Sequence, residues 1–229
     1  MSDVLSRLQA ANPALNLLPV SDPAFERYGR YLTRYDPSEV IANARAILPT
    51  SERVAYEPSV AALEAPTAFT TAIVNEVFGG MPTEVGWCYG KNLRMAGLEY
   101  HKGSEVNVCL TDAILLVGHV QDIAFGERIT YDTRKVAAFY APAGAVVELS
   151  PWNLHFAPIH TTEGGSFATL VYLPKGTNEQ LPYTVEKVGE NRLLAAVNKW
   201  LLVHPDMEGM VKAGLYPGLV GADIIVTPV

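Results

Sequence analysis

The chain has 229 residues, of which 49% are hydrophobic and 18% charged, and its formal net charge is −7. This is the composition of a globular protein long enough to bury a substantial core, and its acidic balance argues against nucleic acid or an anionic membrane as a partner. No run approaches the roughly 18 apolar residues of a membrane span, and no signal segment opens the sequence. The two cysteines predict no disulfide framework. We therefore expect a cytoplasmic protein.

Short helices and extended connectors are predicted over residues 1–80. Leu5 and Leu8 at helical spacing predict a first helix over residues 1–12. Asp-Pro pairs and a Gly-Gly pair delimit further short helices. This segment offers few candidate catalytic side chains. We expect it to wrap around the rest of the chain or to contact another subunit, without forming a domain of its own.

The pattern changes to short apolar strands over residues 81–175. Gly, Pro, Asn and Asp bound these strands at the spacing of a β-sandwich or small barrel, so a mainly β fold is predicted. The predicted strands are residues 85–89, 93–99, 106–110, 113–120, 136–140, 146–149 and 166–173.

A C-terminal helix and tail are predicted over residues 176–229. Apolar residues at helical spacing make residues 190–203 the strongest helical pattern in the chain. This apolar stripe is expected to dock on the same barrel or on another subunit, and a homodimer or other homo-oligomer is expected. The three regions are interpreted as one structural domain.

A candidate metal site begins with Glu99, His101 and Glu105. Glu99 and His101 are two residues apart, so on a strand their side chains share one face. Pro142-Ala143-Gly144, followed by His155, is the best candidate for a second half of the site. Two imidazoles and two carboxylates form a nitrogen and oxygen donor set that suits divalent Mn, Fe, Zn, Co or Ni. The alternative is that these are ordinary polar residues on an exposed strand and loop.

These two motifs resemble those of the cupin superfamily. Gly97, Glu99, His101 and Glu105 resemble the first cupin motif, and Pro142-Ala143-Gly144 with His155 resembles the second. The resemblance covers residues 85–175 and implies a double-stranded β-helix barrel with a metal inside. Glu99 stands where the motif usually has histidine. Glu99 is therefore either a fourth ligand or an acid/base beside a three-ligand metal, and a cupin that has lost its metal is the remaining alternative.

Two further resemblances concern function. Residues 18–25 with Tyr28-Gly29 resemble the opening of ureidoglycolate lyases, which are also cupins. The whole chain resembles an uncharacterised bacterial cupin-like family linked to sugar catabolism. The second resemblance implies a carbohydrate or hydroxy-acid substrate.

The expected function is that of a metal-dependent sugar isomerase or epimerase that works through a metal-stabilised enediolate. A ureidoglycolate-type lyase and a non-catalytic sugar-binding cupin are the alternatives. Candidate catalytic residues are His119, Lys91 and Glu99. Candidate substrate-binding residues are Tyr89, Arg94, Asn107 and Trp152. Tyr89 and Asn107 are chosen because they share strand parity with the ligand set.

Overall fold

The computed structural model describes residues 3–229, and the first two residues of the predicted helix over residues 1–12 lie outside the described residues. The described chain forms four short α-helices and sixteen β-strands. The helices are α1 (Asp3–Ala11), α2 (Ser38–Arg45), α3 (Ala68–Ala72) and α4 (Glu208–Lys212). The strands are β1 (Leu18–Pro19), β2 (Gly29–Tyr31), β3 (Ala55–Glu57), β4 (Thr83–Gly90), β5 (Gly97–Tyr100), β6 (Glu105–Cys109), β7 (Ala113–His119), β8 (Tyr131–Asp132), β9 (Ala137–Ala141), β10 (Val146–Leu149), β11 (Asn153–Leu154), β12 (Ile159–His160), β13 (Phe167–Pro174), β14 (Leu194–Ala196), β15 (Lys199–Val203) and β16 (Leu219–Val220).

Two main sheets form the barrel. One has the strand order β2-β10-β6-β13-β4-β3, and the other has the order β1-β9-β7-β11, with β12 also paired to β7. A third sheet, β14-β15-β5, meets β11 through a bridge between Glu99 and His155. Almost all of these pairings are antiparallel. The predicted mainly β, cupin-type fold is confirmed, and two strands of the N-terminal segment, β2 and β3, extend one barrel sheet.

Apolar side chains fill three layers around these sheets. An inner cluster that includes Val117, Phe139 and Val147 packs between the two main sheets. A second cluster lies between the six-stranded sheet and helices α2 and α3. A third joins α1 and the C-terminal region to the outer face of β7 and β9. Strand alternation explains this arrangement, because successive side chains point to opposite faces of each sheet.

The Pro142-Ala143-Gly144 motif forms the tight turn between β9 and β10. The Ala145 amide donates to the Pro142 carbonyl over 2.9 Å, and Gly144 has a φ of +87°. A backbone in this left-handed region favours glycine, since any side chain would be strained there. The motif therefore has a local structural cause, and it starts the chain segment that leads to His155.

The prediction of a helix over residues 190–203 is wrong. Residues Gly189–Leu193 form a short 3₁₀ turn, and β14 and β15 follow as an antiparallel hairpin. Asn198, with a φ of +54°, lies in the connection between them. Pairing of β15 with the buried β5 outweighs the local helical periodicity. The C-terminal helix of the structure is instead the short α4, and no helix among the described residues is long and apolar enough to cross a membrane.

A stability measurement tests this hairpin assignment. Leu202 on β15 is 0% exposed in the outer core, whereas Ile225 in the tail is 64% exposed. We expect Leu202→Ala to lower the free energy of unfolding by about 2–5 kcal/mol, because it leaves a buried cavity. Ile225→Ala, the control, should change it by less than about 0.5 kcal/mol. Urea denaturation measures both values, and equal effects would contradict the burial of β15.

Candidate metal centre

Three strands, β5, β6 and β11, bring the candidate ligands to the inside of the barrel. Glu99 lies on β5, His101 directly follows that strand, and Glu105 opens β6. His155 follows β11, and its backbone exchanges two hydrogen bonds with Glu99, of 2.7 and 2.9 Å. The two halves of the predicted site are therefore joined through the main chain. All four side chains are buried.

The donor atoms of these side chains converge. Glu99, His101 and His155 each offer one ligand atom within 4.8 Å of the others. Glu105 Oε2 lies 3.2 Å from His155 Nε2 and 3.5 Å from His101 Nε2. Glu99 Oε1 lies 3.8 Å from His101 Nε2. Such separations are those of atoms that share one metal ion, so the four side chains can form a single centre.

Hydrogen bonds set the direction of both imidazoles. His101 Nδ1 lies 2.7 Å from the Asn198 carbonyl oxygen, and His155 Nδ1 lies 3.1 Å from Asn153 Oδ1. We assign an N–H to each Nδ1 because both partners are acceptors. Each Nε2 lone pair then points at the carboxylates. In metal sites, the second ring nitrogen of a ligand histidine usually donates such a hydrogen bond.

A buried polar atom without a hydrogen bond supports the same conclusion. His101 Nε2 is buried and makes no hydrogen bond among the described residues. Its neighbours are carboxylate oxygens, and a lone pair facing a carboxylate is repulsive without a proton or a metal between them. Nitrogen and oxygen donors without thiolate fit a divalent ion such as Mn, Fe, Zn, Co or Ni. The residues present therefore fit a metal.

Glu105 is the most firmly held carboxylate. Its Oε1 accepts a 2.8 Å hydrogen bond from Asn107, and its Oε2 faces both histidines. Burial alone would raise the pKa of Glu105, but the charges of His155 and His101 and the hydrogen bond with His155 outweigh burial and hold that pKa well below its usual range. Burial would lower the pKa of His155, but the charge and hydrogen bond of Glu105 outweigh burial and raise that pKa.

These opposite shifts predict how metal binding depends on pH. Without metal, the charge of Glu105 keeps His155 protonated at pH values above 6.5, the ordinary pKa of histidine. A metal must displace this proton, so its apparent affinity should rise about tenfold per pH unit while one proton is released. Calorimetric titration from pH 6 to 8, in buffers of different ionisation enthalpy, measures the affinity and the proton count. An affinity independent of pH would contradict the prediction.

A cavity of about 120 Å³ opens beside the centre. Its polar lining includes Glu99, Glu105, Asn107, His155 and Lys199, and much of the rest is apolar. Asn107, a candidate substrate-binding residue, lies in this lining. A ligand in this cavity would contact Glu99, Glu105 and His155, three of the four candidate metal ligands.

Lys199 is the site residue that sequence reasoning missed. Its ammonium is in ion-pair contact with Glu99 Oε2, and it opens β15 after the Asn198 turn. Leu201 pairs with Glu99 across the strands, so Lys199, two residues away, projects from the same face. The helix predicted for this region concealed that parity. Asn198 between two apolar runs was the available signal, because asparagine is favoured in hairpin turns.

Three predicted residues lie away from this cavity. Tyr89 points to the opposite face of β4, packs in an outer cluster and donates a hydrogen bond to Glu57. Its neighbour Cys88 lines the cavity instead. Lys91 pairs with Glu52 at 2.7 Å, and Arg94 pairs with Asp223 at 2.5 Å. The structure does not bring Tyr89, Lys91 or Arg94 to the candidate ligands.

His119 and Trp152 share a different, open cavity of about 660 Å³. Lys102 and Glu190, paired at 2.8 Å, line the same cavity. Trp152 is 57% exposed. His119 Nδ1 accepts from the Gln121 amide, and burial lowers the pKa of His119. These two residues therefore lie together, but apart from the candidate metal ligands.

The barrel and its convergent side chains define a protein of cupin-type fold with a site able to hold a metal. The sequence matches, over residues 17–224, the model of the family described as Domain of unknown function (DUF4867). Because this match covers most of the chain, the chain belongs to that family. No curated protein matches the sequence.

Solved cupin structures align with this chain over part of their length. A variant of Bacillus subtilis oxalate decarboxylase is 13% identical over 44% of this chain and 24% of that one, with a TM-score of 0.30. This chain thus spans about a quarter of that protein. An RmlC-like cupin from Ralstonia eutropha is 14% identical, with coverages of 56% and 60% and a TM-score of 0.30. HygX from Streptomyces hygroscopicus, solved with nickel and 2-oxoglutarate, is 11% identical, with coverages of 66% and 85% and a TM-score of 0.38.

Proposed function

We propose that this protein is a metal-dependent enzyme that moves a proton at the carbon next to the carbonyl group of a small hydroxy-carbonyl compound. The reaction class is isomerisation or epimerisation of a small sugar or sugar acid. The observation that carries the proposal is the convergence of two imidazole Nε2 atoms and two carboxylates beside one small, largely apolar cavity. Such a centre combines a metal site with an acid/base group.

Three side chains are proposed to hold the metal: His101, His155 and Glu105. Each is anchored by a partner outside the centre, namely the Asn198 carbonyl, Asn153 and Asn107. When bound, a divalent ion would supply Lewis-acid polarisation of the substrate carbonyl, which acidifies the adjacent C–H group. The anchored side chains keep their positions without reorganisation, which is what a preorganised site requires.

Glu99 is proposed to move the proton. Its Oε2 is held by Lys199, whereas its Oε1 lies 3.8 Å from His101 Nε2, too far for a hydrogen bond. Both oxygens of Glu105, in contrast, are engaged. Glu99 Oε1 can therefore take a proton from the substrate carbon and return it to the same or the neighbouring carbon. Its place on β5, bridged to His155, keeps it beside the other ligands.

The size of the cavity supports a small substrate. The cavity beside the centre has a volume of about 120 Å³. Two- to four-carbon compounds, or the reacting end of a longer one, suit this space. The apolar part of the lining lowers the local dielectric constant, which strengthens the electrostatic interactions at the centre.

Hydrogen exchange in D₂O tests the proposal. Metal-loaded protein is mixed with two- to six-carbon ketoses, aldoses and hydroxy acids, and NMR monitors deuterium at the carbon next to the carbonyl or carboxyl group. The proposal predicts incorporation that disappears after metal removal, as confirmed by elemental analysis, and returns on reloading. Full activity of metal-free protein would contradict it.

The same screen separates the alternative functions. Release of glyoxylate from ureidoglycolate would identify the lyase and exclude the proposed chemistry as the main activity. Tight binding of a sugar, without exchange or cleavage of any compound in the screen, would identify a non-catalytic binding protein.

A further inference from the structure

Lys199 places a positive charge at the wall of the candidate metal cavity. Its side chain is only 20% exposed, and among the described residues that line this cavity it is the one lysine or arginine. Its ammonium contacts Glu99 Oε2 and lies 5.9 Å from the centre of the Phe156 ring. An ammonium carries three donor hydrogens, so the contact with one carboxylate oxygen leaves donors for a ligand.

The charges of the centre favour an anionic ligand. Glu99 and Glu105 contribute two negative charges, and Lys199 contributes one positive charge. With two neutral histidines and a divalent ion, the centre therefore has one net positive charge. Because much of the cavity lining is apolar, this charge is less screened than in bulk water, and a single negative charge on the ligand would balance it. Without Lys199 the same centre would be neutral and would have no such preference.

The other basic candidates are engaged elsewhere. Lys91 pairs with Glu52, and Arg94 pairs with Asp223. Neither lines the cavity. Asn107 offers an amide with one hydrogen on Glu105 Oε1, but this amide carries no charge with which to balance an anion. Lys199 is thus the group in this lining that is best placed to donate to a carboxylate.

We infer that Lys199 holds the carboxylate of the ligand, so that the cavity takes a small monoanionic hydroxy acid in preference to a neutral sugar. The inference rests on the metal centre of the proposed function and specifies its substrate class. The carboxylate would lie between Lys199 and the centre, with the neighbouring hydroxyl-bearing carbon toward Glu99. A neutral amide of the same shape would lack the charge that this arrangement requires.

Glycolate and glycolamide test this inference, because they have the same shape and differ in charge. Calorimetry would measure their binding to Zn²⁺-loaded wild-type protein and to the Lys199→Gln, Lys199→Arg and Lys212→Gln variants. Lys212 is an exposed lysine paired with Glu208 and serves as the control. Since a hydrogen bond to a charged group contributes about 1.5–3 kcal/mol, Lys199→Gln should weaken glycolate about tenfold or more and glycolamide far less. Lys199→Arg should retain most of the affinity, and Lys212→Gln should match wild type.

Lys199→Gln removes the ion pair with Glu99 and could thereby lose the metal. A second measurement on wild-type protein therefore tests the inference without this variant. With ¹³Cε-labelled lysine, the Lys199 signal of Zn²⁺-loaded wild-type protein, assigned by its absence in Lys199→Arg, should shift with glycolate and not with glycolamide. Equal affinities for the two compounds, or an unchanged Lys199 signal at saturating glycolate, would overturn the inference.

Failure of this inference is distinguishable from failure of the proposed function. Charge-selective binding through Lys199 without hydrogen exchange would support the inference and contradict the enzymatic proposal. Hydrogen exchange in a neutral sugar, with no preference for glycolate over glycolamide, would support the enzymatic proposal and contradict the inference.

Discussion

His101→Ala is expected to reduce bound metal from about one ion per chain to almost none, because the variant removes a ligand that is already oriented. His101 Nε2 is buried and makes no hydrogen bond with the residues that the structure describes, and the other ring nitrogen of His101 is fixed by the Asn198 carbonyl. Loss of a supporting outer residue alone typically costs about 10–100-fold in affinity, so loss of the ligand should cost more. Equilibrium dialysis with elemental analysis measures the effect.

His160→Ala is the matched control. His160 is also buried, and it follows His155 closely in the sequence, but its Nδ1 accepts a 3.0 Å hydrogen bond from the Asn92 amide. It does not line the metal cavity. The variant should lose some stability and keep its metal. Equal metal loss in both variants would indicate a general folding defect, and full metal retention in His101→Ala would exclude His101 as a ligand.

Glu99→Gln is expected to keep the metal and to lower the rate of deuterium exchange by about 10²–10⁴-fold, the usual contribution of a positioned acid or base. Glutamine preserves the shape of the side chain but cannot take the proton. Three anchored ligands, His101, His155 and Glu105, remain. NMR exchange rates and metal content are measured on the same sample, so that the two roles of Glu99 are separated.

Glu84→Gln is the control for this prediction. Glu84 is a buried carboxylate on β4 that accepts a 2.8 Å hydrogen bond from the Gly176 amide and does not line the cavity. Burial is the largest influence on the pKa of Glu84 and raises it, so the neutral amide should be tolerated. The deuterium exchange rate of Glu84→Gln should stay close to that of wild type. If Glu99→Gln instead loses metal as His101→Ala does, Glu99 is a ligand and another group moves the proton.

Two parts of the site, the Glu99 and His101 pair and the Pro142-Ala143-Gly144 turn, could be predicted from the sequence because each depends only on the conformation of a few neighbouring residues. Glu99 and His101 share a face through the period-two alternation of a strand, and that alternation depends only on backbone conformation. The Pro142-Ala143-Gly144 turn likewise follows from the backbone freedom of glycine. His155 was reached through the cupin resemblance, and the structure brings it to Glu99 by main-chain pairing.

The rest depends on contacts that local patterns do not contain. The alternation of side chains counted from the ligand set is not maintained across the irregular connection that follows β4. The sequence therefore predicts Tyr89 in the cavity, where the structure has Cys88. The apolar residues of β14 and β15 satisfy a helical period as well as a strand, and pairing with β5 decides between them. Because the sequence predicts a helix over this segment, it does not predict Lys199 on the same face as Glu99. The partner of Lys91 lies far away in the sequence, which no local pattern could indicate.

The position of a bound metal tests the central claim most directly. Crystals grown with Mn²⁺ or Zn²⁺ would be measured at the absorption edge of the metal. The account predicts one strong anomalous peak in the barrel, about 2.0–2.3 Å from the Nε2 atoms of His101 and His155, with Glu105 in contact. A barrel without metal at saturating concentration, or a peak only at other residues, would contradict it.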